Sequence, residues 1–345
     1  MIAVGADGDS ALPAFQLPFR AMRESSFVMA RPDRRVLASS FANAQVVHLQ
    51  FPFWLSFAAL DEARKTGLPI VAGFHIQPEN MLFNVGIHSD WLNKGIYNVL
   101  VKRFFSKVDA VICPTPFAQE KLQSFGLKTP TTVISNGVSP DLAQMARETS
   151  VRRRDPDGKF LILAVGRLAA EKRQDVIIEA VRRSRHKDHI RLVLSGGGPR
   201  EAELKELAKA LPNGAEIGFL PRETLLRRFS EADLFVHASE VELEGMAVLE
   251  AMGAGLPTVI ADAPESAASR FALDQDWSFP AGDAWALSER IDSLIENPAK
   301  LDASRERYRL RAKQFDFDAS VDKLVGVYHS VIESRAQVAT LRHTA

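Results

Sequence analysis

Short apolar runs alternate with longer stretches in which apolar residues recur every three or four positions, and this alternation begins at Gln45. Val46-Val47-His48-Leu49 reads as a buried strand, followed by a helix over about 53–66. Pro69-Ile70-Val71-Ala72 is the next strand, ending at Gly73-Phe74-His75, and a long helical stretch covers about 89–107. Strand Ala110-Val111-Ile112, a helix over 116–125 and strand Thr132-Val133-Ile134 complete this series, which ends in Ser135-Asn136-Gly137-Val138. Residues 1–44 carry no such pattern. Pro13, Pro18 and Pro32 with Arg31, Arg34 and Arg35 predict an irregular, surface-facing opening. Residues 139–158 break the pattern again, with Arg152-Arg153-Arg154-Asp155-Pro156-Asp157-Gly158 reading as a linker.

A second series then predicts strands over 160–165, 190–194 and 215–219, with helices over 173–185, 200–210 and 222–232. It leads into Leu234-Phe235-Val236, a helix over 246–252 and strand Thr258-Val259-Ile260, and helices near 284–296, 301–314 and 320–334 close the chain. Strands alternating with helices predict doubly wound parallel sheets, on which ligands bind beyond the carboxyl ends of the strands. The expected organisation is α/β: an amino-terminal Rossmann-like domain over 1–140, a linker over 141–158, a second Rossmann-like domain over 159–318, and a terminal helix over 319–345 crossing back to the first domain.

Charge marks one stretch apart. Glu250 sits in a helix whose other residues, Met246, Ala247, Val248, Leu249, Ala251 and Met252, are all apolar, and a carboxylate there is costly unless something pairs with it. Glu242 lies in the loop feeding that helix, whose first turn leaves the amides of Gly245, Met246 and Ala247 open to an anion. Two carboxylates to accept hydroxyl hydrogen bonds, beside amides for a phosphate, suit a sugar nucleotide. The plainer reading is that acidic residues favour helix starts through the macrodipole. The spacing of Glu242 and Glu250, with the run GMAVLEAMGAGLP, resembles the E-x7-E motif of retaining glycosyltransferases of family 4, which have the GT-B fold. That resemblance implies that Glu242 contacts the donor sugar and Glu250 holds the ribose. Glu244 stands where the family more often has an aromatic residue.

Other segments follow in the family's order. The strand over 160–165 runs into Gly166-Arg167-Leu168-Ala169-Ala170-Glu171-Lys172, where two cations five residues apart can meet a phosphate pair; it is similar to the family's diphosphate motif, placing Gly166, Arg167 and Lys172 on the leaving group. Ser195-Gly196-Gly197-Gly198-Pro199 reads either as a tight turn or as backbone open to close approach; the resemblance puts Gly196 and Gly198 near the nucleoside. Ile217-Gly218-Phe219-Leu220-Pro221 resembles the segment facing the base, so Gly218 and Phe219 join the donor set, as does Asn136. His75 is either a loop histidine or, as the resemblance implies, a catalytic group near the sugar. Gln77-Pro78-Glu79-Asn80 and Asn84-Val85-Gly86 resemble a subgroup assigned to lipid glycosylation, which makes Glu79 an acceptor candidate. Over 91–108, Trp91, Leu92, Ile96, Tyr97, Leu100, Val101, Phe104 and Phe105 are interspersed with Lys94, Lys102, Arg103 and Lys107. Such a helix can lie on anionic lipid or pack as a core crossover helix.

Composition narrows the partners. An apolar fraction of 46% and a charged fraction of 25% are those of an ordinary globular chain, and 345 residues suffice for two full cores. One cysteine excludes an internal disulfide and fits a reducing compartment. The opening, with Asp7 and Asp9, does not read as a signal peptide, and no apolar run approaches the roughly 20 residues that span a bilayer. Residues 1–140 hold 13 Lys/Arg against 10 Asp/Glu, too mild an excess to suggest nucleic acid. The family's first strand, with its glycine-rich loop, has no counterpart, and residues 1–12 resemble the tail of that region; some 40 residues, about one βαβ unit, would be absent. The resemblance implies a retaining hexosyltransferase that uses a nucleotide sugar, UDP-linked, with no cofactor and no metal. Its acceptor would be diacylglycerol or a related lipid, at the cytoplasmic face of an anionic membrane where the protein sits peripherally. A transferase of surface glycan and an inactive nucleotide-sugar binder are the alternatives.

Overall fold

A computed structural model describes residues 2–6, 8–15, 28–83, 86, 87, 89–138, 140 and 157–343. The 141–156 part of the expected linker and Asn84-Val85 lie outside them. The chain divides into two compact units, residues 1–135 with 319–345, and residues 136–318.

The amino-terminal unit opens with two short pairs, β1 (Val4–Gly5) with β2 (Ser10–Ala11) and β3 (Ala14–Phe15) with β4 (Met29–Ala30). Its sheet is parallel, in the order β5 (Val47–Leu49), β6 (Ile70–Gly73), β7 (Ala110–Cys113), β8 (Thr131–Val133). Every residue of β6 and β7 is buried, which is why both read as unbroken apolar runs. Between the strands lie α1 (Arg34–Phe41), α2 (Trp54–Thr66), α3 (Pro78–Phe83), α4 (Asp90–Arg103) and α5 (Pro116–Ser124).

Two expectations need correction here. The opening is not wholly irregular: α1 forms because Asp33 caps it, Oδ1 accepting from the amide of Arg35 at 2.8 Å, and because Leu37 and Phe41 bury one face. The short helix α3, which takes in Pro78–Phe83, was not among the expected elements. The helix over 89–107 is not continuous. It ends at Arg103, and Phe105–Lys107 form a 3₁₀ turn, which lets Phe104 and Phe105 both bury, edge to face with centroids 5.2 Å apart.

The second unit has a six-stranded parallel sheet, formed by β9 (Phe160–Val165), β10 (Ile190–Ser195), β11 (Ala215–Gly218), β12 (Leu234–His237), β14 (Thr258–Asp262) and β16 (Ser278–Pro280). Their order across the sheet is β11-β10-β9-β12-β14-β16, so the chain first steps outward from β9 and then returns to its other side at β12. That reversal is the switch point of a Rossmann sheet, where neighbouring loops part to leave a crevice. A two-residue pair, β13 (Val241–Glu242) with β15 (Glu265–Ser266), lies beyond the main sheet. The helices are α6 (Gln174–Arg183), α7 (Glu201–Ala208), α8 (Arg222–Glu231), α9 (Met246–Gly253), α10 (Ala284–Glu296) and α11 (Pro298–Ala312).

The terminal helix α12 (Phe317–His343) lays Leu324, Val327, Tyr328 and Val331 against Val71, Ala110, Ile112 and Ile134. Asp109 ties it down: its carboxylate accepts from Arg335 Nε at 2.9 Å and from the amide of Ile70 at 2.8 Å. Tyr328 adds a polar contact, its hydroxyl 2.6 Å from Nδ1 of His48 on β5. Burial, with a smaller contribution from His75, pushes the His48 pKa down from 6.5 to about 4. The folded chain therefore keeps His48 neutral while the unfolded chain takes up a proton below pH 6.5. Its stabilising contribution is complete above 6.5 and lost as the pH falls towards 4, by about 3 kcal/mol in full. Urea unfolding of the amino-terminal unit at pH 7 and pH 4.5 should show this loss in the natural protein and a much smaller one in His48→Gln; equal losses would disprove the assignment.

Candidate functional site

Two loops leave the switch point of the second sheet, one after β9 and one after β12. The first, Gly166 to Arg173, includes a 3₁₀ turn at Ala170–Lys172. Glu171 points inward and is fully buried, where Arg167 Nη2 meets it at 2.6 Å. Lys172 points the other way, its ammonium on Oε1 of Glu242. The second loop runs from His237 to Gly245. Nε2 of His237 lies 3.2 Å from the same Glu242 oxygen. Burial by itself would raise the Glu242 carboxyl; the Lys172 charge and the His237 imidazole outweigh it and hold the group well below the usual carboxylate range. Arg167 and Lys172 thus share one end of one sheet with Glu242, 70 residues further along the chain. His237 ends β12, directly after its apolar run, and no motif in the sequence marks it.

Glu242 is followed by Leu243, Glu244 and Gly245. Gly245 takes φ 88°, and its would-be Cβ lies 3.0 Å from that of Ala268, so a side chain there meets both strain and a neighbour. The turn starts α9 with no side-chain cap, and among the described residues none accepts from the amides of Gly245, Met246 and Ala247. Glu250 lies off the buried face of α9, which consists of Val248, Leu249, Ala251 and Met252. Its partner is Arg222, which opens α8 with Nη1 3.3 Å away. Glu244 is buried, and its carboxylate accepts from the amide of Asn136 at 3.1 Å and from Asn136 Nδ2 at 2.6 Å. The departure from an aromatic residue at this position therefore serves Asn136, which is itself exposed.

The glycines divide into two kinds. A Cβ on Gly196 would lie 2.0 Å from the carbonyl oxygen of Gly166, and one on Gly198 2.4 Å from that of Leu168. These two are required by protein backbone: the amide of Gly166 bonds to Ser195, Leu168 to Gly197 and Gly196 to Gly218, each at 2.9 Å. Gly166 meets nothing within 4 Å and Gly218 only a side-chain oxygen at 3.8 Å, so these two leave backbone open. Phe219 follows with 78% of its surface exposed.

In the amino-terminal unit His75 stands just beyond β6. Its ring lies over Gly73, where a Cβ would be 2.3 Å from Nε2, and packs edge-on to Phe51. Burial lowers its pKa and favours the neutral ring. Glu79 is buried on α3, its oxygens taken by the Tyr97 hydroxyl at 2.8 Å and Lys121 Nζ at 3.2 Å. Its carboxylate is tied into the unit's own packing. Of the two readings of this stretch, core packing holds for its aromatic side: Tyr97, Leu100, Val101, Phe104 and Phe105 are buried. The exposed face of α4 carries Trp91, Lys94, Val99, Lys102 and Arg103, with Lys107 on the turn that follows. A cavity of about 930 Å³ borders β5, lined among others by Leu37, Phe41, Val47, His48, Trp54 and Tyr328. No helix among the described residues is long and apolar enough to cross a membrane.

Residues 5–142 match the family described as Glycosyltransferase Family 4, and residues 146–315 match Glycosyl transferases group 1. The chain belongs to the family 4 glycosyltransferases. Alpha-monoglucosyldiacylglycerol synthase of Streptococcus pneumoniae is 26% identical to this glycosyltransferase over 70% of the chain and 57% of the relative. A GDP-mannose-dependent alpha-mannosyltransferase of Mycobacterium tuberculosis is 28% identical over 83% of the chain and 73% of the relative. The chain thus spans little more than half of the pneumococcal protein's length. Among solved structures, Anabaena Alr3699/HepE, in complex with UDP and glucose, superposes with a TM-score of 0.68 at 19% identity, over 86% of this chain and 81% of that one. Sucrose-phosphate synthase from Thermosynechococcus elongatus gives 0.70 at 19% identity, over 87% and 77%. The fold is GT-B.

Within this glycosyltransferase all three cations of the β9 loop are paired with carboxylates, so a diphosphate that reached Lys172 would compete with Glu242 for it. Glu242→Gln should therefore tighten UDP binding, by about tenfold for one charge-assisted contact released to the ligand. Calorimetry with UDP reads this directly. Unchanged or weaker binding would mean that Lys172 does not serve the phosphates.

Proposed function

We propose that this glycosyltransferase moves a hexose from a UDP-sugar to a lipid acceptor such as diacylglycerol, with retention at the anomeric carbon. The observation that carries the reading is the pairing of Lys172 with Glu242 at the switch point. It puts a mobile cation and a carboxylate that stays ionised within one contact of each other. When the diphosphate takes Lys172, Glu242 becomes free to accept from sugar hydroxyls, and Glu250 does the same for the ribose. Lys172, Arg167 and the open amides of Gly245, Met246 and Ala247 stabilise the charge that develops on the leaving diphosphate, a fixed electrostatic contribution. Gly166 and Gly218 let nucleotide approach backbone, and His75 is a neutral group on the acceptor-side unit.

UDP as the nucleotide is supported by the Anabaena structure with UDP and glucose, and lipid as the acceptor by the pneumococcal relative's name. The exposed face of α4 supports a peripheral place on the inner face of a membrane. Basic side chains beside an anionic surface contribute about 1 kcal/mol each, so Lys94, Lys102, Arg103 and Lys107 together hold weakly and reversibly, with Trp91 at the interface. The cavity beside β5 offers apolar surface in the same unit.

Two measurements test this. Mass spectrometry of reactions pairing UDP-hexoses or GDP-mannose with diacylglycerol vesicles or soluble glycans should show a glycolipid with a UDP-sugar; product only from GDP-mannose, or only on the glycans, overturns the nucleotide or the acceptor respectively. In co-sedimentation with anionic vesicles, binding at low salt should fade at high salt, as the Debye length shrinks to about 3 Å at 1 M. Changing the four basic residues of α4 and its following turn to Gln should abolish it. Binding indifferent to both salt and these changes would rule out docking through α4.

A further inference from the structure

Among the described residues Arg173 is the one non-glycine residue with positive φ, at φ 49° and ψ 40°. Side chains with a Cβ avoid this left-handed conformation, and a residue held in it is held by its surroundings. Here the backbone is held by the Arg173 amide on the Ala170 carbonyl and by the Val176 amide on the Arg173 carbonyl, and the side chain is held by charge. The Arg173 guanidinium pairs with Oε1 of Glu240, and its Nε lies 3.4 Å from Asp175, which is itself held by Arg200 at 2.9 Å. Gly282 closes the far side, its would-be Cβ 3.5 Å from Arg173 Nη1.

The neighbours of this pair matter more than the pair. Arg173 directly follows Lys172, and Glu240, at a bend, lies two residues before Glu242 on the same loop, where each carboxylate meets one of the two cations. The two loops are therefore zipped by consecutive ion pairs, Lys172 to Glu242 and Arg173 to Glu240. Their backbones are joined as well, the amide of Glu240 and the hydroxyl of Ser239 both donating to the carbonyl of Glu171, at 2.9 and 3.2 Å. When a diphosphate displaces Glu242, the first ion pair opens while the second remains, and the second then fixes where the Lys172 backbone stands.

We propose that Arg173 and Glu240 are positioning residues: their ion pair keeps residue 173 left-handed and so aims Lys172 at the donor's diphosphate, without touching the donor themselves. This rests on Lys172 meeting the diphosphate, as argued above. It makes a prediction opposite in sign to simple electrostatics. Neutralising a carboxylate close to an anion site should strengthen anion binding, whereas Glu240→Gln, which loosens Lys172, should weaken it.

UDP and uridine binding are measured by calorimetry on the full chain. Glu240→Gln and Arg173→Gly, the second of which tolerates the left-handed backbone, should each weaken UDP by about tenfold, the size of one misplaced charge-assisted hydrogen bond, and leave uridine unchanged. The exchanged pair Arg173→Glu with Glu240→Arg should recover part of the loss. In a Lys172→Ala background Glu240→Gln should change nothing further. If Glu240→Gln binds UDP as well as the natural protein or better, or still weakens it without Lys172, the positioning role is wrong. If Lys172→Ala itself leaves UDP affinity intact, it is the underlying assignment of Lys172 that falls. Equal losses for UDP and uridine would mark a general structural defect and reject positioning.

Discussion

Carboxylates enclosed where β9 and β12 end must each find a positive partner, and meeting that requirement organises the carboxy-terminal unit. Glu171 is fully buried and Glu242 nearly so. Left without partners, such groups would cost several kcal/mol each. Arg167 and Lys172 satisfy them from the same turn, which is why that turn must be short and must send adjacent side chains in opposed directions. Glu240 and Arg173 extend the pairing by one step. The charged side chains of these two loops are consequently held by one another, on a sheet whose own strands are held by apolar burial.

This arrangement gives the two cations unequal freedom. Removing Arg167 would strand a buried carboxylate, a loss of about 3–5 kcal/mol that would spread into folding. Lys172 is partly exposed beside its partner Glu242, and in the proposed function it exchanges that partner for a phosphate. The backbone bonds between the loops after β9, β10 and β11 keep the scaffold still while that exchange occurs, and Gly196 and Gly198 are needed for those loops to touch at all.

The amino-terminal unit solves a different problem. Two of its histidines, His48 against Tyr328 and His75 over Gly73, are partly buried, and that burial lowers both pKa values and favours the neutral rings. Basic side chains lie on the outside of α4, and the buried Glu79 is paired with Lys121 and accepts a hydrogen bond from Tyr97. One helix thereby carries an aromatic core face and a basic solvent face, two properties that a single periodic stretch of sequence superimposes.

Strand runs, helix periodicity and motif order were sufficient to determine the parallel sheets, most element bounds within a few residues, and the identity of the two loops that carry charge. These properties are local: a strand buried on both faces must be apolar throughout, and a loop at its carboxyl end is where polar residues can gather. What tertiary structure decided is pairing. Nothing near Glu250 in sequence points to Arg222, nothing near Glu244 points to Asn136, and Glu240 and His237 carry no motif, because an ion pair depends on distance in space and these partners are 5 to 108 residues apart. The same holds for short α1 and α3, stabilised by a cap and by packing rather than by a long periodic pattern. It holds for the face of α4 too: apolar spacing locates a buried side but says nothing of whether core or lipid covers it, and only the packing of Tyr97, Phe104 and Phe105 against their own sheet made that choice.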